Sequence, residues 1–425
     1  MAPASSPEVE LLRQAFDSAL RAAAPAVCLP PALRGLPRRP SLVLGAGKAA
    51  ASMAAAFRAH WDAPVRGLVV TRYGHGLKPG EDAAGIEIVE AGHPSPDDAS
   101  LAAGERLLAL AADVRDDELL CCLISGGGSA LASQPLPVLA FEQKRAAADF
   151  LIRRGADIRE INCVRKHLSR LKGGRLAVAA HPSRVATFVI SDVPGDDVGA
   201  IASGPTVADP TTQAEALRIL EKYRYPRIAE LEPALRDPQW ETPKPGNAAF
   251  AEDSVHVIAA AKTALDAAAR LLTENGYEVL RLGDDLGDEA QMLGREHGRL
   301  AKEQRRRGKR VAILSGGETR VVLGEGGGRG GRNTEYLSAL ALELDGAPRI
   351  FALAADTDGI DGHGDHAGGI VLPEILARGA QHGLSLASLL AQHDSYTYFD
   401  ACGLLLKTGP TRTNVNDFRL ILCQT

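Results

Sequence analysis

The chain repeats one local pattern: a short apolar run that stops abruptly at a turn of Gly, Ser or Asp. Stretches with helical spacing of apolar residues, such as 48–60 and 98–112, lie between these runs. Alternating strands and helices predict an α/β fold with parallel sheet, and ligands bind beyond the carboxyl ends of such strands. The runs followed by a polar turn are Ser41–Leu44, Leu119–Ile124, Val185–Ile190, Val311–Leu314, Ile350–Ala355 and Leu404–Leu406.

The length of 425 residues predicts two domains, because a single hydrophobic core rarely grows this large. Residues 226–247 contain five prolines, a composition that suits an extended crossover between domains. We therefore expect an N-terminal domain over residues 1–240 and a C-terminal domain over residues 241–425.

Charge and composition argue against several classes of partner. The net charge of −5 provides no overall positive field for nucleic acid, and no run of 18 apolar residues could span a membrane. The N-terminal stretch Leu11–Leu29 carries charges within its apolar part, so we expect an amphipathic helix ending near Pro25 and no targeting peptide. The six cysteines include no C-x-x-C pair, which favours buried thiols in the cytoplasm. Either a monomer or a homodimer is compatible with the sequence.

The turn Gly45–Lys48 follows a strand, opens a helix and fits the dinucleotide-binding pattern G-x-G-x-x-A. An NAD(P)-dependent reductase is therefore a competing interpretation, although the residues after the second strand, Thr71, Arg72 and Tyr73, include no acid for the ribose. The turn is not a Walker A loop, because Ala49 stands where Ser or Thr should be. Lys48 remains as a phosphate contact at a helix N-terminus, with a solvated surface lysine as the alternative.

Two further segments are rich in glycine. Ser125–Ser129 is a second strand-to-helix turn, and Gly324–Asn333 crowds six glycines around Arg329 and Arg332. Glycine in regular structure is unfavourable by roughly 0.5–1 kcal/mol relative to alanine, so such a loop indicates a geometric task. Cradling an anion with backbone N–H groups and guanidinium donors is one such task, and a flexible linker is the alternative.

Carboxylates cluster at two of the strand ends. Acids in such positions can hold Mg²⁺ together with substrate phosphates or act as a general base, and some act only as helix caps or turn formers. Combined with the glycine loops and cations, they indicate phosphoryl transfer. The clustered residues are Asp192, Asp196 and Asp197 after one strand, and Asp356, Asp358, Asp361 and Asp365 after another.

A set of motifs runs in a fixed order over nearly the whole chain. They are Gly45–Lys48, Ser125–Leu131, Val164–Ser169, Lys172–Gly174, Ser191–Asp196, Ile201–Thr206, Ser315–Glu318, Gly330–Asn333, Thr357–Gly362 and Thr408–Asp417. In these motifs the chain resembles the class II glycerate 2-kinases, whose C-terminal half is named MOFRL. Arg412 departs from the pattern, since this family often has Gly there, and the change bears on substrate preference.

The resemblance implies two α/β domains facing a cleft that holds the active site, with a larger, doubly wound, mainly parallel N-terminal domain and a smaller C-terminal one. It implies transfer of the ATP γ-phosphoryl group to the C2 hydroxyl of D-glycerate, with Mg²⁺, to give 2-phosphoglycerate and ADP. Some members of the family carry hydroxypyruvate reductase labels, so an NAD(P)H-dependent reductase stays open. A ligand-sensing module without turnover is a third hypothesis.

We assign the residues to roles as hypotheses. Lys48 and Arg332 neutralise the transferred phosphoryl group, Asp192 orients or deprotonates the C2 hydroxyl, and Asp356 and Asp358 are metal ligands. Replacing Lys48 or Arg332 by Ala should reduce turnover far more than folding stability. Residues 165–167 read the glycerate carboxylate or form a solvated helix face. The expected nucleotide or substrate contacts are Gly45, Gly47, Ser125, Gly126, Gly127, Gly128, Ser129, Ser315, Gly316, Gly317, Gly330, Gly331 and Asn333.

Overall fold

The computed structural model describes residues 6–37, 39–322, 327–362 and 364–424. None of the helices in these ranges is both long and apolar enough to cross a bilayer. The α-helices are α1 Pro7–Ala23, α2 Pro25–Leu33, α3 Ala50–His60, α4 Asp98–Ala112, α5 Gly128–Leu131, α6 Phe141–Arg153, α7 Ile158–His167, α8 Arg175–Ala180, α9 Gln213–Lys222, α10 Glu232–Arg236, α11 Ala261–Glu274, α12 Ala290–Arg306, α13 Arg332–Leu344, α14 Ile375–Gln381, α15 Leu386–Ala391 and α16 Ser395–Ala401. The strands are β1 Leu42–Ala46, β2 Arg66–Arg72, β3 Ile86–Ala91, β4 Leu119–Ser125, β5 Arg184–Ile190, β6 Ser254–Ala259, β7 Glu278–Gly283, β8 Val311–Gly317, β9 Ile350–Asp356, β10 Gly368–Val371, β11 Leu405–Leu406 and β12 Asp417–Cys423.

The chain divides into two compact units, and the first helix belongs with the C-terminal one. One unit comprises residues 25–258, and the other combines residues 1–24 with residues 259–425. In the second unit the ring of Phe16 in α1 lies 5.6 Å from that of Phe418 in β12. This division differs from the expected boundary at residues 240 and 241, because β6 joins the N-terminal sheet and α1 packs on the C-terminal one.

The sheet of the N-terminal unit has the strand order β3-β2-β1-β4-β5-β6. Strands β1 to β5 pair in parallel, so the predicted doubly wound, mainly parallel sheet is confirmed. The core packs apolar residues of β1, β2, β4 and β5 against α4 and α8. The order of strands reverses between β1 and β4, and a crevice for ligands opens at such a switch point.

The sheet of the C-terminal unit is mixed, with the order β11-β10-β9-β12-β8-β7. Strand β12 lies in its middle and runs antiparallel to both β8 and β9, which the alternation of strands and helices did not predict. All seven residues of β12 are buried, including Asp417 and Arg419, so no polar face marked it in the sequence. Asp417 lies opposite Gly317 and Asp356, so the ends of β8 and β9 meet at the start of β12.

The proline-rich segment 226–247 is part of the N-terminal unit and is not a crossover between units. The carboxylate of its residue Glu241 lies 2.9 Å from Nε2 of His167 and accepts a hydrogen bond from Nζ of Lys244 at 2.8 Å. Thr242 is 2% exposed and donates to the carboxylate of Asp209 at 3.1 Å. The segment therefore clamps the end of α7.

This clamp should give the N-terminal unit a pH-dependent stability. Burial opposes ionisation of Glu241, but hydrogen bonds from Lys244 and from the backbone N–H groups of Gln213 and Thr242 lower its pKa to about 2. An ionised carboxylate with a lowered pKa stabilises the fold above the unfolded value of about 4.3, and this contribution is lost as the pH falls toward 2. Glu241→Gln should lower the free energy of unfolding at pH 7 by on the order of 2 kcal/mol.

Urea unfolding between pH 7 and pH 2 checks this prediction. The difference in the free energy of unfolding between wild type and variant should become smaller as the pH falls. Glu221→Gln is the control, because Glu221 is exposed and makes no ion pair within the described ranges. Equal pH profiles for wild type and Glu241→Gln would contradict the proposed clamp.

Candidate active site

The turns after β1 and β4 are joined at the switch point. The backbone N–H of Lys48 donates to the carbonyl of Gly126 at 2.8 Å, and that of Ala49 donates to Oγ of Ser125 at 3.0 Å. Gly47 has a φ of +145°, and a Cβ there would overlap Ser125. Only glycine allows this approach, and the junction fixes Lys48 just before α3 begins.

Asp192, which follows β5, lies against the same junction. Gly126 has no positive φ, but a Cβ built on it would overlap the carboxylate of Asp192. A Cβ on Gly127 would lie 3.0 Å from the ring of His93 and 3.2 Å from Cγ of Lys48. The structure thus gathers Lys48, His93 and Asp192 around two adjacent glycines at the ends of β1, β3 and β5, and all three side chains are partly exposed.

Sequence reasoning found Lys48 and Asp192 but missed His93. The signal was present in residues 86–93, IEIVEAGH, where an apolar strand ends at a Gly-His turn like the other strand ends. The neighbouring acids Asp196 and Asp197 do not join this group, since both are exposed and Asp197 accepts the N–H of Gly199 within its own turn. They act as turn formers, which was the alternative interpretation.

The serine-glycine turn after β4 divides into supporting and accessible residues. Ser125, Gly126 and Gly128 are buried, whereas Gly127 and Ser129 are partly exposed. Oγ of Ser129 lies 2.8 Å from Oγ of Ser203, and the backbone of Ser203 has a φ of +60°. A non-glycine residue in this conformation is strained, and such strain is found at functional sites. Contact of this turn with a ligand stays a prediction. The partly exposed Gly127 and Ser129 are the residues of the turn that a ligand could reach.

The expected glycine contact Gly45 has a packing role in the structure. It lies inside β1 between β2 and β4, and a Cβ there would overlap the carbonyl of Leu123. Gly317 also has a packing role: its φ is +105°, and a Cβ there would overlap the backbone of Leu286. Contact of either residue with a nucleotide stays a prediction.

Arg332 lies in the C-terminal unit and is surrounded by carboxylates. Its Nε donates to Asp417 at 2.8 Å, one terminal nitrogen donates to Asp356 at 2.6 Å, and the other lies 3.3 Å from Glu318. Burial alone would lower the pKa of Arg332, but these carboxylates raise it well above its ordinary value. The guanidinium is permanently charged, and the protein itself neutralises that charge.

The start of α13, where an anion was expected, is occupied by a side chain of the protein. The buried carboxylate of Asp361 accepts the backbone N–H groups of Asn333 and Thr334, both at 3.0 Å. Burial would raise the pKa of Asp361, but the nearby His366 and these backbone bonds hold it below its ordinary value. Nδ2 of Asn333 donates to Asp417 at 2.7 Å, so Asn333 also supports the carboxylate cluster.

The remaining C-terminal candidates also have partners within the protein. A Cβ on Gly330 would overlap Ser395, and one on Gly331 would overlap Asp361. The carbonyl of Gly316 accepts from Arg419 at 2.8 Å, and Ser315 is buried in β8. Residues 324–326 of the glycine-rich segment lie outside the described residues, and Arg329 packs over the ring of Tyr396.

The carboxylates of the two predicted metal ligands, Asp356 and Asp358, accept hydrogen bonds from neighbouring groups of the protein. Oδ2 of Asp356 accepts from Arg332, and its Oδ1 accepts the N–H of Asp358 at 2.9 Å. Oδ1 of Asp358 accepts the N–H of Ile360 at 2.9 Å. Across the described ranges, no three His, Cys, Asp or Glu side chains are grouped to hold a metal ion. The described residues thus contain no preformed magnesium centre, and metal binding by Asp356 or Asp358 together with substrate phosphates stays a prediction.

The contact between Gly126 and Asp192 can be tested by adding one methyl group. Gly126→Ala should displace the Asp192 carboxylate and reduce activity by about 100-fold or more, because a small displacement at a catalytic group is that costly. Circular dichroism should show an intact fold. Gly35→Ala is the matched control in the same unit, since a Cβ there meets only the carbonyl of Ala32 at 3.8 Å and should change little. An active Gly126→Ala variant would remove Asp192 from the chemistry.

The partners of Arg332 change the expected effect of replacing it. Arg332→Met leaves the buried Asp417 and Asp356 without this cation, so we expect a loss of about 3 kcal/mol of stability along with any loss of turnover. Urea unfolding measures the loss, and hydrogen exchange should show faster exchange in β12. Lys309→Met removes an exposed ion pair to Glu278 and should cost less than about 1 kcal/mol. An Arg332→Met variant as stable as this control would show that the carboxylates do not need the guanidinium.

Together, the doubly wound sheet and the placement of Lys48 and Asp192 at its switch point are typical of an α/β protein that binds phosphate groups. Residues 11–237 match a family model described as a domain of unknown function (DUF4147), and residues 311–417 match the MOFRL family.

Relatives and solved structures agree with these matches. The chain is 38% identical over 381 residues to a D-glycerate 2-kinase of Thermotoga maritima, covering 88% of this chain and 89% of that protein. A crystal structure of glycerate kinase from the same organism has a TM-score of 0.88 and 36% identity, covering 97% of this chain and 99% of that chain. A protein of Agrobacterium vitis named "Putative hydroxypyruvate reductase" is 47% identical over 419 residues, covering 97% of this chain and 94% of that protein. The chain belongs to the class II glycerate kinase family with a MOFRL domain, and the resemblance noted in the sequence is confirmed.

Proposed function

We propose that the protein is an ATP-dependent glycerate 2-kinase. It transfers the γ-phosphoryl group to the C2 hydroxyl of D-glycerate and releases 2-phosphoglycerate and ADP. The observation that supports this best is the side-by-side placement of Lys48 and Asp192 around Gly126 and Gly127 at the switch point. The names of the relatives support the same reaction.

The two charged side chains have complementary tasks in this proposal. Asp192 accepts a hydrogen bond from the C2 hydroxyl and takes its proton as the oxygen attacks the γ-phosphorus. Lys48 and the N-terminus of α3 stabilise the charge on the phosphoryl oxygens, which is the main source of catalysis in phosphoryl transfer. The ring of His93 lies beside Gly127, next to this pair of residues, and no role is assigned to it.

Mg²⁺ enters the proposal only as the ion that accompanies ATP, where it shields the charge of the phosphates. No step is assigned to Asp356 or Asp358, because their carboxylates already accept hydrogen bonds within the C-terminal unit. A contact of Arg332 with the nucleotide stays a prediction.

We place the enzyme in the cytoplasm, since all six cysteines are free and five are buried. We leave open whether it is a monomer or a homodimer.

The alternative function is an NAD(P)H-dependent hydroxypyruvate reductase. The strand order β3-β2-β1-β4-β5-β6 and the G-x-G-x-x-A turn favour it, as do the names of some relatives. The kinase is preferred because β2 ends at Arg72 with no acid for the ribose, and because Lys48 occupies the turn itself.

Two assays on the purified protein separate these functions. ADP release that requires D-glycerate supports the kinase, and phosphorus NMR of the product distinguishes the C2 from the C3 phosphate. Decay of NADH absorbance with hydroxypyruvate, without glycerate-dependent ADP release, would overturn the proposal.

The roles of the two residues predict the behaviour of their variants. Lys48→Met should lower kcat by about 100- to 1,000-fold, and Asp192→Asn by about 100- to 10,000-fold, with intact folding. Lys78→Met serves as the control, because Lys78 is exposed in the same unit and its side chain makes no ion pair within the described residues. A kcat near that of the wild type would exclude the residue concerned from the mechanism.

A further inference from the structure

Residues 165–167, which we predicted to bind a carboxylate, have different surroundings in the structure. Lys166 pairs with Asp209 at 3.2 Å, and His167 bonds to Glu241 at 2.9 Å, so both hold the fold together. Arg165, on the same helix α7, instead lines a small pocket in the N-terminal unit. The hypothesis of a carboxylate contact therefore narrows to Arg165.

This pocket adjoins the candidate active site and is strongly basic. Its wall includes Ser129 of the glycine turn and Pro94, which directly follows His93. The nitrogen-bearing side chains around it are Lys144, Arg145, Arg165 and Lys172, and Asp149 is the one carboxylate among its lining residues.

The two buried lysines of this pocket have no carboxylate partner within the described residues, whereas Arg145 pairs with Glu142 at 2.6 Å. Lys144 is 5% exposed and Lys172 is 1% exposed. Nζ of Lys144 donates to the hydroxyl of Ser133, and Nζ of Lys172 donates to the carbonyl of Ala132 at 2.9 Å. The side chain of Arg165 makes no hydrogen bond or close ion pair within the described ranges; burial lowers its pKa, and Asp149 in the same wall partly offsets this. Buried positive charge without a counter-ion is costly unless a ligand supplies the negative charge.

The pKa values of Lys144 and Lys172 reflect the excess of positive charge in the pocket. Burial, with a smaller contribution from Arg165, lowers the pKa of Lys144 to about 7. Burial, followed by Lys144 and Arg165, lowers the pKa of Lys172 well below its ordinary value. A bound anion would favour the charged form of both lysines, so binding near pH 8 should take up protons from solution. The other charged groups that face them are Arg145 and Asp149.

We propose that Lys144, Lys172 and Arg165 form the subsite that binds the carboxylate of the phosphoryl acceptor, a small 2-hydroxy acid. With the carboxylate held there, the neighbouring hydroxyl extends past Ser129 toward Lys48 and Asp192. This assignment rests on the proposed kinase function, and it predicts that the enzyme prefers an acid to a neutral polyol as the acceptor.

The test compares D-glycerate with its methyl ester, which keeps the hydroxyls but lacks the negative charge. The wild type should prefer the acid strongly in kcat/KM. Arg165→Met and Lys144→Met should lose about 30-fold or more in kcat/KM for the acid, since removing one partner of a buried charge pair has an effect of this size, and should change little with the ester. Arg153→Met, an exposed residue on the helix of Lys144, is the control.

Calorimetry supplies a readout that does not depend on turnover. D-glycerate binding by the wild type in buffers of different ionisation enthalpy should show proton uptake near pH 8, and Lys144→Met should show less. Arg165→Met removes no hydrogen bond, so it is expected to fold even if Lys144→Met does not.

The outcomes distinguish the two proposals. If the wild type releases ADP with D-glycerate but Arg165→Met keeps the wild-type preference for acid over ester, the subsite is overturned and the kinase stands. If the wild type shows no glycerate-dependent ADP release, the kinase fails. In that case, binding of inorganic phosphate that Arg165→Met abolishes would still support an anion site, and unchanged binding would overturn it.

Discussion

The junction between the turns after β1 and β4 is the constraint on which the candidate site depends. The N–H of Lys48 donates to the carbonyl of Gly126, and Gly47 lies so close to Ser125 that no side chain fits between them. Because the strand order reverses at this point, the joined turns form the floor of the expected crevice. Asp192, which is distant in the sequence, packs against Gly126. This contact brings a carboxylate to the same junction as Lys48.

Charge balance separates the two polar clusters of the molecule. In the C-terminal unit, Arg332 and Arg419 are matched by Asp417, Asp356 and Glu318 at hydrogen-bonding or ion-pairing distance. In the N-terminal unit, Lys144, Lys172 and Arg165 face a pocket with one carboxylate in its wall. We therefore treat the first cluster as part of the fold and propose a ligand only for the second.

Glycine-rich motifs marked the turns that form the candidate site but could not assign individual roles. The absence of a Cβ permits close approach of a ligand, and it equally permits close approach of another part of the protein. Gly45, Gly317 and Gly331 serve the second purpose, since a Cβ on each would overlap neighbouring protein atoms. Gly127 is the member of the serine-glycine turn that is partly exposed and lies next to Lys48 and His93.

The sequence by itself determined the strand-turn units and the parallel N-terminal sheet, because apolar periodicity and turn residues are local properties, and its motifs singled out Lys48 and Asp192 as candidates. Only the tertiary structure decided that α1 packs on the C-terminal unit and that β12 lies in the middle of its sheet. It also decided that Arg332 meets Asp417, 85 residues away in the chain, and that His93, Lys144 and Lys172 converge near the serine-glycine turn. These pairings depend on which strands become neighbours, and a fully buried strand such as β12 carries no alternation from which its neighbours could be inferred.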